Sequence, residues 1–525
     1  MKSIKNLLTA LVVFICFSGD LKANNINISN ITSVPGAGFV QLQFDLSWDN
    51  SWYNSINNDA AWVFFKFKDN DGTWHHLNLT NSNNAIAVGY TIGVPPDLTG
   101  AMIYRNTTGS GTVTLTGVRV GVNNLPGSFD IKGFALEVVR IPVGDQFYLG
   151  DGINGVFYST NTGAPFLVNS NSISLGSGAG LLDDGIANVA VTTPLGSFPI
   201  AYNTLGAFMS LYMMKHEVSQ GAYRDFLNTL TYTQQATRTG IAPNSVIGSQ
   251  AFGAGTLTYR SSIQIATPGV NSGTPAVYGC NLNNNGVFNE ANDGEWIACN
   301  ELTWSDLAAF LDWAAMRPMT EIEFEKSCRG PLPAVAGENA AGVTGAAAYS
   351  YPISNAGTAN ESITYSGSVL LANITYNSTS PGGNSPTRVG IHATQYATRI
   401  SAGAGYYGCL DLSGNLEEYT VTTGNQAGRS YTGINGNGIL NAAGNADEDF
   451  WPGINGNTTN ANANTAYGGA TGVTGAAGVI GRGGSAGYTG ANLNKVSYRV
   501  SPGTTTISSR ASLGNISGGR GVKSW

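Results

Sequence analysis

The N-terminal part of the chain has the hydrophobic pattern of short β-strands. Apolar, β-branched and aromatic side chains recur in residues 40–48, 61–68 and 112–122, and Gly, Asn and Pro separate these runs. A period of two places every second side chain on the same face of a sheet. Such strands at short intervals predict an all-β sandwich over residues 24–133.

Beyond this region the spacing of apolar residues becomes helical in two places. Residues 218–230 and 303–316 carry apolar side chains three and four positions apart, and Ser219 is a suitable N-cap for the first helix. Thr320 followed by Glu323 is the pattern of a capping box and predicts a third helix.

These three helices, the last over residues 321–328, lie within a long remainder rich in Gly and Asn. Few helices among many loops predict an α+β domain. We assign residues 134–525 to this second, loop-rich unit and place the join between the two units near Gly133.

Composition narrows the class of protein further. The chain has 525 residues, of which 70 are Gly and only 11% are charged, and its formal net charge is −7. Low charge with 42% hydrophobic residues disfavours a coiled coil and general disorder. A negative chain without a Lys/Arg run does not predict nucleic-acid binding.

The first 23 residues have the layout of a secretory signal peptide. Lys2 and Lys5 precede an apolar run over residues 7–17, and small residues follow it. That run is too short to span a bilayer, and no other segment predicts a transmembrane helix. A lipid anchor on Cys16 is disfavoured by the bulky Ile15 before it. We therefore expect a secreted or cell-surface protein.

Export leaves four cysteines, and an even number in an oxidising compartment favours disulfides. Cys280 and Cys299 flank a polar, turn-rich loop, which suggests one bridge and leaves Cys328 with Cys409 for a second. Four cysteines allow three pairings, and the alternative for the latter two is that they are buried free thiols.

Several motifs follow one another in the second unit. In chain order they are EVVRIPVGDQFYLG at 137–150, MMKHEVS at 213–219, LTWSD at 302–306, RPMTEIEFEKSCRG at 317–330, YGCLDLSGNLEEY at 407–419, RGGS at 482–485 and GRGVK at 519–523. The ordered set resembles the formylglycine-generating enzyme, or sulfatase-modifying factor, family. This resemblance covers residues 134–525 and implies a C-type-lectin-like α+β fold.

The resemblance also implies structural calcium. The family binds calcium at an asparagine and a glutamate that correspond to Asn415 and Glu418, with the Leu416 carbonyl as a further ligand. A second family site uses an element similar to Asn373-Ile374, although its downstream partner is not apparent. Oxygen ligands suit this hard cation. The alternative for Asn415 and Glu418 is a hydrogen-bonded turn without metal.

The family's oxidase chemistry requires two cysteines in the segment that corresponds to residues 485–510. They bind copper(I), which demands soft thiolate ligands. No cysteine follows Cys409. Four histidines without an accompanying helical domain do not favour an iron site either, so we expect neither copper nor iron and identify no catalytic residue. Candidate ligand contacts in the segment are Tyr488, Asn492, Tyr498, Arg499 and Arg510, with ordinary core or loop positions as the alternative.

We therefore expect a binding or assembly protein built on a catalytically degenerate domain, with a surface glycan or a protein as ligand. One alternative is a sulfatase-modifying or non-heme iron oxidoreductase with relocated ligands. Another is a structural component of the cell surface or of a gliding apparatus.

Overall fold

The structure is a computed structural model that describes most of the chain. The described residues are 25–123, 130–152, 157–185, 192–202, 211–253, 256–271, 273–347, 353–363, 371–376, 385–394, 397–454, 467–468, 471–488, 490–499 and 516–525. The predicted signal peptide lies outside them.

The N-terminal region is built entirely of strands, most of them longer than those that follow. They are β1 (Asn27–Pro35), β2 (Val40–Tyr53), β3 (Asp59–Lys68), β4 (Trp74–Leu77), β5 (Tyr90–Gly93), β6 (Ala101–Arg105), β7 (Gly109–Val122) and β8 (Asp130–Ile141).

Short strands and the first two helices come next along the chain. They are β9 (Phe147–Leu149), β10 (Tyr158–Ser159), β11 (Phe166–Val168), β12 (Ser174–Leu175), β13 (Leu182–Asp183), β14 (Thr193–Pro194), β15 (Leu211–Met214), α1 (Gln220–Leu227), α2 (Tyr232–Arg238), β16 (Ile263–Thr267) and β17 (Val277–Cys280). A 3₁₀ turn at Thr256–Tyr259 precedes β16.

The C-terminal half holds the remaining helices between short strands. They are α3 (Trp304–Trp313), β18 (Arg317–Pro318), α4 (Glu321–Arg329), β19 (Ala346–Ala347), β20 (Ile353–Ser354), β21 (Ser362–Ile363), β22 (Ala372–Asn373), β23 (Glu417–Val421), α5 (Gln426–Arg429), β24 (Val479–Arg482), β25 (Ser517–Gly518) and β26 (Gly521–Ser524). A second 3₁₀ turn spans Ala491–Asn494.

The strands of the first region form a sandwich. One layer is the sheet β1-β2-β7, and the facing layer belongs to an eight-stranded sheet of order β18-β26-β15-β8-β3-β6-β5, in which β4 also pairs with β3. Burial alternates along β2 from residue 42 to residue 48, so Leu42, Phe44, Leu46 and Trp48 enter the core between the layers. The period-two pattern thus produces this core.

The eight-stranded sheet joins the two predicted units. Strand β8 pairs with β3 from Asp130 to Val139, and its last four residues, Val138 to Ile141, pair with β15 of the second unit. Gly133, where the sequence suggests a join, lies inside this strand. In β3, Val63 and Phe65 face the sandwich core, whereas Trp62 and Phe64 pack into the core around α1 and α3.

The predicted helices are confirmed together with their caps. The Ser219 side chain accepts a hydrogen bond from the Ala222 N–H, and Thr320 and Glu323 form a complete capping box at the start of α4. The predicted class, α+β with many loops and an N-terminal all-β region, is confirmed. None of the helices in the described part of the chain has the length and apolar composition needed to cross a bilayer.

Candidate functional site

Helix α4 carries three acidic side chains into the protein interior. Glu321, Glu323 and Glu325 are all at most 1% exposed. Acids spaced two apart near a helix start suggest caps or a solvated face, and Glu323 is indeed a cap. Buried carboxylates require partners, and here arginines supply them.

These arginines come from distant parts of the sequence. Arg482 donates to Glu321 over 3.1 Å and to Glu325 over 2.6 Å, and Arg499 forms two hydrogen bonds of 2.7 and 2.8 Å with Glu321. Arg329 pairs with Glu325 and with Glu338. The cluster therefore balances three acids against three arginines within a buried region, which we call the α4 ion cluster: Glu321, Glu325, Glu338, Arg329, Arg482 and Arg499.

Arg499 is therefore not available as a ligand contact. The Arg499 side chain has no exposed surface. Its guanidinium forms an ion pair with Glu321 instead of facing a ligand. Burial raises the pKa of Glu321 and the arginines lower it, and the net shift is downward, so this carboxylate stays ionised.

The two tyrosines of the same segment lie together beside Glu417. The Tyr488 hydroxyl donates a hydrogen bond to Glu417 Oε2. Burial raises the pKa of Tyr498, and the nearby Glu417 carboxylate raises it further. Both tyrosines are half-buried, so each keeps an accessible edge. Burial also raises the pKa of Glu417. We call Glu417, Tyr488 and Tyr498 the tyrosine surface.

Glu417 was missed from the sequence because its position depends on strand register. Strand β23 pairs with β24, and Glu417 lies beside Gly481 of β24. A Cβ atom at Gly481 would lie inside contact distance of the Glu417 carboxylate. The glycine inside this strand was the available signal.

The side chains of the two remaining candidate ligand contacts, Asn492 and Arg510, lie outside the described residues. Asn492 lies in the 3₁₀ turn Ala491–Asn494, and its side chain is outside the described residues. Arg510 also lies outside the described part of the chain.

The residues expected to bind calcium lie close together. The Asn415 N–H donates to the Thr375 carbonyl, so the turn at Asn415 adjoins the element that contains Asn373 and Ile374. Asn415 has φ 62°, the left-handed conformation that asparagine tolerates.

The polar side chains of Asn373, Asn415 and Glu418, however, have protein partners. Both Glu418 oxygens accept from Arg520 over 2.6 Å, and the Asn415 amide bridges Glu217 and the Thr387 N–H. The Leu416 N–H donates to Glu217 over 2.9 Å, and Asn373 donates to the Ser401 carbonyl over 2.7 Å. Ile374 is a buried core residue. Because a guanidinium already neutralises Glu418, these residues do not fit a calcium site in this arrangement.

The four cysteines of the described residues are buried and form no disulfide in the structure, so the expected bridges are not present there. Cys280 and Cys299 belong to one apolar core, and Cys328 and Cys409 belong to another. Burial raises the pKa of the Cys280 and Cys409 thiols to about 12. These side chains therefore behave as small hydrophobic groups rather than as bridges or nucleophiles.

One further acidic group was not anticipated. Asp312, at the end of α3, lies with Asp447 and Glu448 so that one oxygen of each is within 4.8 Å of the others. Burial and the neighbouring acids raise the pKa of Glu448 to about 7. Lys66 lies near Asp312 and Lys523 near Glu448. Burial lowers the pKa of both lysines, that of Lys66 well below its ordinary value and that of Lys523 to about 8. Asp447 and Glu448 are adjacent in sequence, but Asp312 lies more than a hundred positions before them, so no local motif marks the group.

Comparison with known proteins adds a family assignment. The family model described as the sulfatase-modifying factor enzyme 1-like domain matches residues 188–471. This span contains α1 to α5 and the turn at Asn415, and it ends before Arg482. No curated protein matches the chain.

Proposed function

The chain belongs to the sulfatase-modifying factor enzyme 1-like family, and from this premise we propose that it is a secreted or cell-surface binding and assembly protein without the family's oxidase chemistry. The observation that carries the proposal is the absence of cysteine from residues 485–510. Copper(I) requires thiolate ligands, and this segment has none.

The cysteines elsewhere do not replace the missing pair. All four described thiols are buried, and desolvation raises the pKa of each of the three cysteines at 280, 328 and 409. Protonated thiols are poor metal ligands and poor nucleophiles at neutral pH. The donor set of this chain therefore does not fit copper, and we route no chemical step through it.

The tyrosine surface is the best-supported place for a ligand in this segment. Half-buried tyrosines offer an apolar ring and a polar hydroxyl at a low cost in side-chain entropy, which suits contact with sugars and peptides. Glu417 fixes the Tyr488 ring through its hydroxyl, so this contact is oriented before a ligand arrives. Export through residues 1–23 would present this surface to extracellular glycans or proteins.

Binding to glycan and peptide arrays tests the proposal. We expect the full mature chain to retain ligands on an array, and Tyr488→Ala to lose at least about tenfold in affinity, as expected for the loss of an aromatic anchor. Tyr90→Ala is the control, because Tyr90 is a half-buried tyrosine in the N-terminal sandwich. Equal losses in both variants, or no retained ligand, would contradict the proposal.

A further inference from the structure

Strand β8 has one edge that is only partly paired. Along Asp130–Val139 one edge pairs with β3, whereas β15 covers the other edge only from Val138 to Ile141. The last hydrogen bond on that edge joins the Lys215 N–H to the Glu137 carbonyl. The segment after Lys215 then leads away from β8 into α1. No strand of the described chain pairs with the remaining edge at 131–135.

The direction of the backbone groups follows from the register. The Arg140 N–H donates toward β3 and the Glu137 carbonyl accepts from the opposite side. Since antiparallel strands alternate, the N–H and C=O groups of Ile131, Gly133 and Ala135 point away from β3. No hydrogen-bond partner for these groups occurs in the described part of the chain. Unpaired edges of this kind are normally covered or blocked.

A run of cavities follows this open edge. A cavity of about 970 Å³ is lined by residues 130–132, one of about 200 Å³ by residues 133–136, and one of about 150 Å³ by residues 135–137. The edge therefore lies at the bottom of a groove. Five residues of extended chain measure about 17 Å, enough to seat a short strand.

The walls of the groove are of different character. Ile26 and Ile28 line the side of the sandwich, and Ala222 and Asp225 of α1 line the other side. At the end near Glu137, two polar atoms in side chains more than nine-tenths buried have no hydrogen-bond partner among the described residues: Glu137 Oε1 and His216 Nε2. An occupant that carries hydrogen-bonding groups would satisfy the edge.

We propose that this groove binds an extended polypeptide segment, which adds a strand to β8 along residues 131–135. Only a peptide backbone offers donors and acceptors in the alternating spacing that the edge presents. Alternate side chains of the bound segment would face Ile26 and Ile28, so apolar residues at every second position are preferred. The inference rests on the proposed binding role but uses a site separate from the tyrosine surface.

A proline at position 135 tests the site. Its ring removes one outward N–H and occupies the groove, while the hydrogen bonds to β3 remain, because residue 135 points away from that strand. The control is Ala135→Val, which keeps the N–H. A library of displayed octapeptides is selected on the full mature chain, and the best peptide is measured against both variants.

We expect enriched peptides with alternating apolar residues, about tenfold weaker binding to Ala135→Pro, and near-unchanged binding to Ala135→Val. N-methylation of alternate amides in the peptide gives a second measurement on the unaltered chain. Methyl groups on the amides that face β8 should abolish binding, whereas methyl groups on the amides that face away should preserve it. Amide exchange at residues 131–135 should slow when the peptide binds.

The inference is overturned if no selected peptide distinguishes Ala135→Pro from Ala135→Val, or if both methylated peptides bind equally. A chain that dimerises through this edge, with Ala135→Pro monomeric, would also overturn it in favour of a second copy. None of these results depends on array binding by the tyrosine surface or on oxidase turnover, so the two proposals fail separately.

Discussion

Replacing Arg499 by methionine distinguishes a structural arginine from a ligand contact. In the α4 ion cluster three acids face three arginines, and neither Arg499 nor Glu321 has exposed side-chain surface. Arg499→Met keeps most of the side-chain volume but leaves one negative charge unbalanced in the interior. Breaking one partner of a buried ion pair costs about 3–5 kcal/mol of unfolding free energy.

The pH dependence gives this prediction a sign. The folded-state pKa of Glu321 lies below its ordinary value of 4.5, so its ion pair stabilises the fold above that pH and the stabilisation is lost as the pH falls. Without Arg499 the Glu321 pKa rises. The difference in stability between the wild type and the variant should therefore be largest near pH 7 and shrink toward pH 4.

Urea unfolding followed by tryptophan fluorescence measures both effects. The double variant Glu321→Gln/Arg499→Met removes the unbalanced charge, and we expect it to recover a large part of the loss, since apolar or neutral replacements of a buried pair are often tolerated. A loss below about 1 kcal/mol at pH 7, unchanged at pH 4.5, would refute the structural role of Arg499.

Three further predictions concern the neighbouring residues. Gly481→Ala should cost about 1–3 kcal/mol in urea unfolding, because its methyl group meets the Glu417 carboxylate. Gly490→Ala, which has open space around it, should cost less, and equal losses would count against the packing argument. A thiol reagent should label none of the four mature cysteines in the native protein and all four after unfolding without reductant, whereas fewer labels after unfolding would indicate disulfides. Chelation with EGTA should leave the melting temperature within about 1 °C, because Arg520 already neutralises Glu418; a drop of several degrees would show that calcium binds and stabilises the fold.

The sequence was sufficient for features that depend on local patterns. Ser219, Thr320 and Glu323 cap their helices because the required residues are three positions apart or fewer. The alternation from Leu42 to Trp48 likewise predicts the buried face of β2. Local hydrogen bonds and periodicity are sufficient to specify these elements.

Features that depend on distant contacts could not be predicted in the same way. Glu321 and Glu325 look like surface acids until Arg482 and Arg499, more than 150 positions later, reach them. The join expected at Gly133 lies inside β8, because this strand pairs with β3 of the first unit and with β15 of the second. Both outcomes are set by tertiary packing, which a single sequence does not reveal.

The resemblance to a known family predicted the fold better than the metal. The motif around Asn415 does form the expected turn, with a positive φ. Glu418, the presumed metal ligand, instead pairs with Arg520 from the C-terminal motif. Two motifs assigned separate roles thus meet in one ion pair, and this contact decides what chemistry is available.

The most direct test of the central claim is an assay for formylglycine. The purified mature chain is supplied with copper(I) and oxygen, a cysteine-containing sulfatase peptide is added, and the product is followed by mass spectrometry. The account predicts no formylglycine above the level of a protein-free control and no stoichiometric copper, since residues 485–510 hold no thiolate. Catalytic turnover with one copper bound per chain would contradict it.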